Sequence, residues 1–175
     1  SIVVVQGANA RFTPEDIESH RDLLEECEIV ILQLEIPMDT VLYAAKLART
    51  LGKTVILDPA PVPEHFPEEL YQYVDIIKPN ESELSRLTGI ADAQNHLEEA
   101  VQIVKDHGVR NVLVTLGGDG VYLDTENEAP VHIPAKKVEV VDTTAAGDSF
   151  TAALAAMLLE GKTLKEAAEF ANQVS

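Results

Sequence analysis

The sequence is short of several things at once. Its 175 residues include no tryptophan, one cysteine, and only 13 lysines and arginines against 30 aspartates and glutamates, a formal net charge of −17. Each shortage excludes something. One cysteine cannot close an internal disulfide, and no cysteine–histidine cluster stands at zinc spacing, as expected of a reducing, cytoplasmic setting. So few cations against so many carboxylates would repel a phosphate backbone, which argues against nucleic-acid binding. No apolar run approaches the ~18 residues of a membrane span. The opening Ser1-Ile-Val-Val-Val-Gln-Gly lacks the basic stretch of a signal peptide.

Some motifs are also missing. No Gly-x-Gly-x-x-Gly fingerprint is present, so a dinucleotide-binding dehydrogenase lacks support. Gly52-Lys53-Thr54 and Gly161-Lys162-Thr163 resemble the end of a P-loop. Leu47 and Ala156 stand where that loop needs its first glycine, and both fall within helical patterns. Asn80-Glu81-Ser82 is an incidental sequon without a secretory signal. Cys27 has no neighbour that would activate its thiol. What remains is a chain with an ordinary 46% of hydrophobic residues and one open question: how could so acidic a protein hold an anion?

Continuous apolar runs alternate with amphipathic stretches. Strands are expected at Ile2–Val5, 28–34, Thr54–Leu57, 75–78, Asn111–Thr115, 121–123, Val131–Ile133 and 138–141. The pair 121–123 and Val131–Ile133 reads as a hairpin. Helices are expected from Pro14 to about Glu26, behind the N-cap Thr13, and over 37–51, 68–73, 81–88, 95–107, 147–159 and 164–172. Runs apolar on both sides mark strands covered on both faces. The pattern therefore predicts an α/β fold with a mainly parallel central sheet flanked by helices on both faces, joined by right-handed crossovers. The chain starts without methionine in a β-branched run and stops inside a helical pattern. It is expected to be part of a longer polypeptide.

One stretch carries chemistry: Val141-Asp142-Thr143-Thr144-Ala145-Ala146-Gly147-Asp148-Ser149-Phe150. Small residues let the backbone turn closely around a ligand. A helix beginning at Gly147 directs unpaired N–H groups outward, an anion site that needs no lysine or arginine. The helix dipole keeps Asp148 ionised in the first turn, where it can accept a proton from a hydroxyl attacking a phosphoryl group. For a lone Gly-Asp pair, an ordinary helix start would be the better reading. The unbroken run of two threonines, two alanines, glycine and aspartate favours a site.

That run resembles the second signature of the ribokinase-like sugar kinases, the PfkB family, usually Asp-Thr-Thr-Gly-Ala-Gly-Asp-Ser/Thr-Phe, with Ala145 in place of the first glycine. Three further segments match in order. Lys78-Pro79-Asn80-Glu81-Ser82-Glu83 resembles the Asn-x-x-Glu motif. Thr115-Leu116-Gly117-Gly118-Asp119-Gly120 resembles the nucleotide turn. Gln6-Gly7-Ala8-Asn9-Ala10, with Leu32-Gln33-Leu34-Glu35-Ile36-Pro37, is similar to the ribose-phosphorylating branch more than to fructokinases or adenosine kinases.

The resemblance implies transfer of the γ-phosphate of ATP to a sugar hydroxyl, in that branch O5 of D-ribose, giving ribose 5-phosphate; the alternatives are another sugar or nucleoside kinase of the family, or a noncatalytic nucleotide-binding fragment. By position, Asp148 would be the general base, and Ala145, Ala146 and Gly147 would line the anion hole. Asn80 and Glu83 would organise Mg²⁺ through water, a role compatible with a helix cap. Thr115, Gly117 and Gly120 would form the nucleotide turn, and Asn172 would stand beside the adenine. Glu35 would contact the sugar, and Asn9 would approach the nucleotide phosphates. Asp142 and Thr144 would hold a monovalent cation, expected to be K⁺.

On this resemblance residues 1–175 form the C-terminal catalytic and nucleotide-binding part of one domain. The family's first signature, most sugar contacts and the lid that forms the homodimer would lie outside it, as would the extreme C-terminus. The isolated chain is then expected to be inactive, with an unpaired sheet edge and apolar surface near Ile2 to Val5.

Overall fold

The computed structural model describes residues 4–136 and 142–175. Six strands form one sheet in sequence order: β1 (Ile29–Leu32), β2 (Thr54–Leu57), β3 (Ile76–Ile77), β4 (Asn111–Thr115), β5 (Val121–Asp124) and β6 (Val131–Ile133). The first four are mutually parallel, and β4, β5 and β6 pair antiparallel, with β5 and β6 as the expected hairpin. The expected strand at 138–141 lies outside the described residues.

The order of the strands decides where the helices go. Each parallel strand is added on the same side of the last, so right-handed crossovers place every connection on one face. That face carries α3 (Met38–Thr50), a 3₁₀ helix at Glu68–Tyr73, α4 (Glu81–Thr88) and α5 (Leu97–Asp106). After β6 the chain covers the opposite face with α6 (Ala146–Leu159) and α7 (Leu164–Val174).

The strand side chains divide with period two between these covers. Val55, Leu57, Val112, Val114 and Tyr122 join the first cluster; Ile56, Leu113, Val121 and Leu123 join the second. A strand buried on both sides has no polar face to show, which is why residues 55–57 of β2 and 112–114 of β4 read as unbroken apolar runs. Each fully buried leucine or isoleucine, such as Leu57 or Ile56, stabilises the sheet by about 1.5–3 kcal/mol.

Two expectations need correction. The helix expected from Pro14 to Glu26 is two, α1 (Pro14–Glu18) and α2 (Arg21–Glu26). The Ser19 hydroxyl donates to the Glu15 and Asp16 carbonyls at 2.8 and 3.0 Å, and His20 Nδ1 lies 2.9 Å from the Asp16 carbonyl. These side-chain bonds compete with the backbone ladder, and His20 leaves helical geometry at φ −122°. The start of α1 is as expected, with Thr13 and Asp16 in a reciprocal capping box.

The second correction concerns the sheet edge. Val4 and Val5 lie in no strand, while their 73% and 88% exposure bears out the expected apolar surface; Ile2 and Val3 lie outside the described residues. The end strand of the described sheet is β1 instead. Its Ile31 shares the parity of Ile29 and is 43% exposed.

Candidate active site

Every parallel strand delivers a polar residue to the same rim. Gln33 follows β1, Asp58 follows β2, Lys78 and Asn80 follow β3, and Thr115 closes β4. With the N-terminus of α6 they line a cleft of about 980 Å³. Ligands of open α/β sheets bind at this carboxyl end of the strands.

Two helices present their N-termini to the cleft, and they differ. That of α4 is closed on itself. The Asn80 side chain accepts from the Glu83 amide at 2.8 Å, and Glu83 Oε2 accepts from the Asn80 amide at 2.8 Å. Asn80 Nδ2 donates to Glu83 Oε1 at 2.9 Å. Burial raises the pKa of the half-buried Glu83 carboxyl above its ordinary value. The Asn80 backbone N–H works against that, nearby Asp58 adds to it, and Lys78 opposes it.

The N-terminus of α6 is open. Ala145 occupies the cap position at φ 61°, the one non-glycine residue at positive φ among the described residues, and no side chain caps the helix. Ala146 N–H donates to the Thr143 carbonyl at 3.2 Å and Ser149 N–H to that of Ala145 at 2.9 Å. Between them, the Gly147 and Asp148 amides have no hydrogen-bond partner among the described residues. Phe150 and Leu154, 2% and 0% exposed, fasten the helix to the sheet behind this open end. Asp148 Oδ1 accepts from Gln33 Nε2 at 3.2 Å, across from the end of β1.

Beneath this terminus lies a group that the sequence reading missed. Lys78 Nζ stands 2.9 Å from Asp58 Oδ2, and their side chains are 4% and 5% exposed. The Thr151 hydroxyl lies 3.3 Å from Asp58 Oδ2 and donates to the Gly147 carbonyl at 2.9 Å, tying the pair to α6. The open end of α6 therefore has a buried cation beneath it as well as free backbone amides. The available signal was a charged residue placed directly after each apolar run, Leu57-Asp58 and Ile77-Lys78.

The turn after β4 also lines the cleft. Thr115 N–H donates to the Pro79 carbonyl at 3.0 Å, joining this turn to the start of α4. Gly120 adopts φ 96°, and a Cβ there would stand 2.1 Å from the Ile133 carbonyl oxygen. Only glycine lets the turn approach β6 so closely. From α7, Asn172 Nδ2 donates to the Pro134 carbonyl at 3.0 Å. Asp142 Oδ1 accepts from the Thr144 hydroxyl and amide at 2.7 and 2.8 Å. Those bonds, the hydroxyl's first, hold its carboxyl below the usual carboxylate range.

The cleft thus gathers Asp148, Ala145, Ala146, Gly147, Asn80, Glu83, Thr115, Gly117, Gly120, Asp142 and Asn172. It does not gather Glu35, which is exposed and outside the lining, where Gln33 stands instead. Thr144 reaches the cleft only through Asp142. Asn9 lies in an exposed 3₁₀ helix away from it.

An open sheet with an uncapped helix end, a neighbouring carboxylate and a glycine turn at one rim is the kind of arrangement with which α/β proteins hold anionic ligands. The comparisons with known proteins narrow that class. The sequence matches the pfkB family carbohydrate kinases over residues 1–175, and the chain belongs to that family. It is 37% identical to the ribokinase of Staphylococcus aureus, covering 100% of this chain and 58% of that protein. It is likewise 37% identical to the deoxyribokinase of Salmonella typhi, over 86% of this chain and 49% of that protein. The structure of Arabidopsis thaliana ribokinase complexed with ribose and ATP superposes with a TM-score of 0.90 at 38% identity, covering 98% of this chain and 56% of that one. The chain spans about half the length of these relatives.

Proposed function

We propose that this chain is the nucleotide-binding and phosphoryl-transfer part of an ATP-dependent sugar kinase whose acceptor is the O5 hydroxyl of D-ribose. The observation that carries the reading is the open end of α6, with Asp148 beside it, facing Asn80, Glu83 and the Gly117–Gly120 turn across one cleft. Ribokinases among its relatives, one of them bound to ribose and ATP, support the choice of substrates.

In the proposed reaction the sugar oxygen forms a bond to the γ-phosphorus as the bond to the β–γ bridging oxygen breaks. ADP leaves, and the hydroxyl proton passes to Asp148. Charge on the moving phosphoryl group is met by the free Gly147 and Asp148 amides, which are fixed before the substrate arrives. Gln33 holds the Asp148 carboxylate from the side of β1. The Gly117–Gly120 turn receives the nucleotide, and Asn172, anchored to Pro134, flanks its base.

Among the described residues no three carboxylate, histidine or cysteine side chains gather to cage a metal. That suits Mg²⁺, which keeps most of its water and arrives on phosphates. Asn80 and Glu83 would hold it through water, and it would neutralise phosphate charge. Asp142, kept ionised by Thr144, would hold a monovalent cation, K⁺, from the loop before α6. Glu35 would reach the sugar only in the complete protein, a cytoplasmic homodimer closed by its lid. The chain alone is expected to bind nucleotide without turnover.

A coupled ADP-release assay on the full-length protein carrying this segment tests the reading, with D-ribose, 2-deoxy-D-ribose, fructose and adenosine as acceptors. D-ribose should be preferred. Asp148→Ala should lower the rate by about 10²–10⁴-fold while nucleotide affinity is retained. Undiminished turnover in that variant would overturn the assignment of the base.

A further inference from the structure

Lys78 has a duty that its ion pair does not exhaust. An ammonium carries three N–H donors. Among the described residues Asp58 is its one side-chain partner, at 2.9 Å, although the lysine side chain is only 4% exposed. Leaving donors of a buried cation unspent is costly, so their direction matters. Lys78 lines the cleft, and its Nζ lies 3.5 Å from where a Cβ on Gly147 would stand, at the first turn of α6. A buried cation with spare donors therefore sits against the uncapped end of a 14-residue helix whose amides are also unspent.

We propose that Lys78 is a direct ligand of the phosphoryl group being transferred, the terminal phosphate of a nucleoside triphosphate, and that Asp58 holds it in place. The inference rests on the kinase reading above and specifies which phosphate is met by a side-chain charge. Geometry favours the terminal phosphate. Lys78 Nζ sits beside Gly147 at the first turn of α6, and so next to the proposed base, whereas the Gly117–Gly120 turn, proposed for the nucleotide, follows β4. Asp58 bonds one side of the ammonium, and Thr151 ties Asp58 to α6. The donors left over belong to an Nζ that stands beside Gly147, whose own amide is free. Charge-assisted bonds of this kind are about twice as strong as neutral ones. In a chain of net charge −17 they also give the cleft a local cation beside the carboxylates of Asp58, Asp148 and Glu83.

The test is calorimetric titration of the chain with Mg–ATP and, separately, with Mg–ADP. The unaltered chain should prefer Mg–ATP by about tenfold or more. Lys78→Met should abolish that preference and leave Mg–ADP affinity unchanged. Because a lone buried Asp58 could unfold the single variant, the double variant Asp58→Asn with Lys78→Met is measured beside it, with circular dichroism confirming the fold. A preference for Mg–ATP undiminished in the folded double variant overturns the proposal. If the unaltered chain takes up neither nucleotide, the nucleotide reading of the cleft fails, and this inference falls with it.

Discussion

The two helix ends that meet across the cleft solve the same problem in opposite ways. Every helix begins with backbone donors that have no partner within it. At α4 the chain supplies the partners itself, through Asn80 and Glu83. The α1 and α7 helices do likewise with Thr13 and Asp16, and Thr163 and Glu166. At α6 the cap position is an alanine in the left-handed region, and two amides face solvent. A closed end stabilises its own helix, whereas an open one keeps its donors for a ligand at some cost to the fold. In the proposed reaction the difference would separate a wall of the site from its reacting centre.

Closing the open end should have the largest effect. In Ala145→Asp a carboxylate would compete with phosphate for the α6 amides. Transfer by the full-length protein should fall about 10²–10³-fold, as followed by ADP release, with the fold intact by circular dichroism. A variant as active as the parent would mean that those amides serve no anion.

A reciprocal pair comes next. Ala145→Gly relieves the left-handed strain and should stabilise the chain by about 1 kcal/mol. Asn80→Ala removes a working cap and should destabilise it by about 1 kcal/mol. Urea denaturation measures both, and equal signs would erase the contrast between the two ends.

The smallest effect concerns pH. The Glu83 carboxyl is raised by burial in the folded chain, so above the usual carboxylate range the folded form binds the proton more readily than the unfolded. The contribution of this residue to stability is therefore greatest in acid. It falls as pH rises from about 4.5 through the raised value, then levels off. Glu83→Gln retains a side chain suited to the capping box and should lose that fall. Urea midpoints taken across pH would read the change, and an unaltered slope would count against burial as the cause.

Local features were the most legible in the sequence. The residues of α4 were expected as found, because an Asn cap, a Glu three positions on and a terminal glycine are all short-range signals. The strands of the two-faced core were equally plain, since burial on both sides leaves only apolar residues. The proposed phosphate loop also announced itself, being a continuous run. The pairings that depend on topology were not legible. Asp58 and Lys78 meet only because β2 and β3 are neighbours whose ends are level, and Gln33 reaches Asp148 across 115 positions. The break after Glu18 was missed because helical periodicity continues through Ser19 and His20, while their side-chain bonds to the backbone do not show in a pattern of polarity.

The exposed edge at β1 has a colloidal consequence. An end strand of the described sheet bearing Ile31 is a template on which like chains stack, and a charge of −17 is what drives such chains apart. That repulsion reaches about 30 Å at 0.01 M salt and only about 3 Å at 1 M. Light scattering should therefore report separate chains in dilute buffer and growing assemblies as salt is added, the reverse of an association held together by ion pairs.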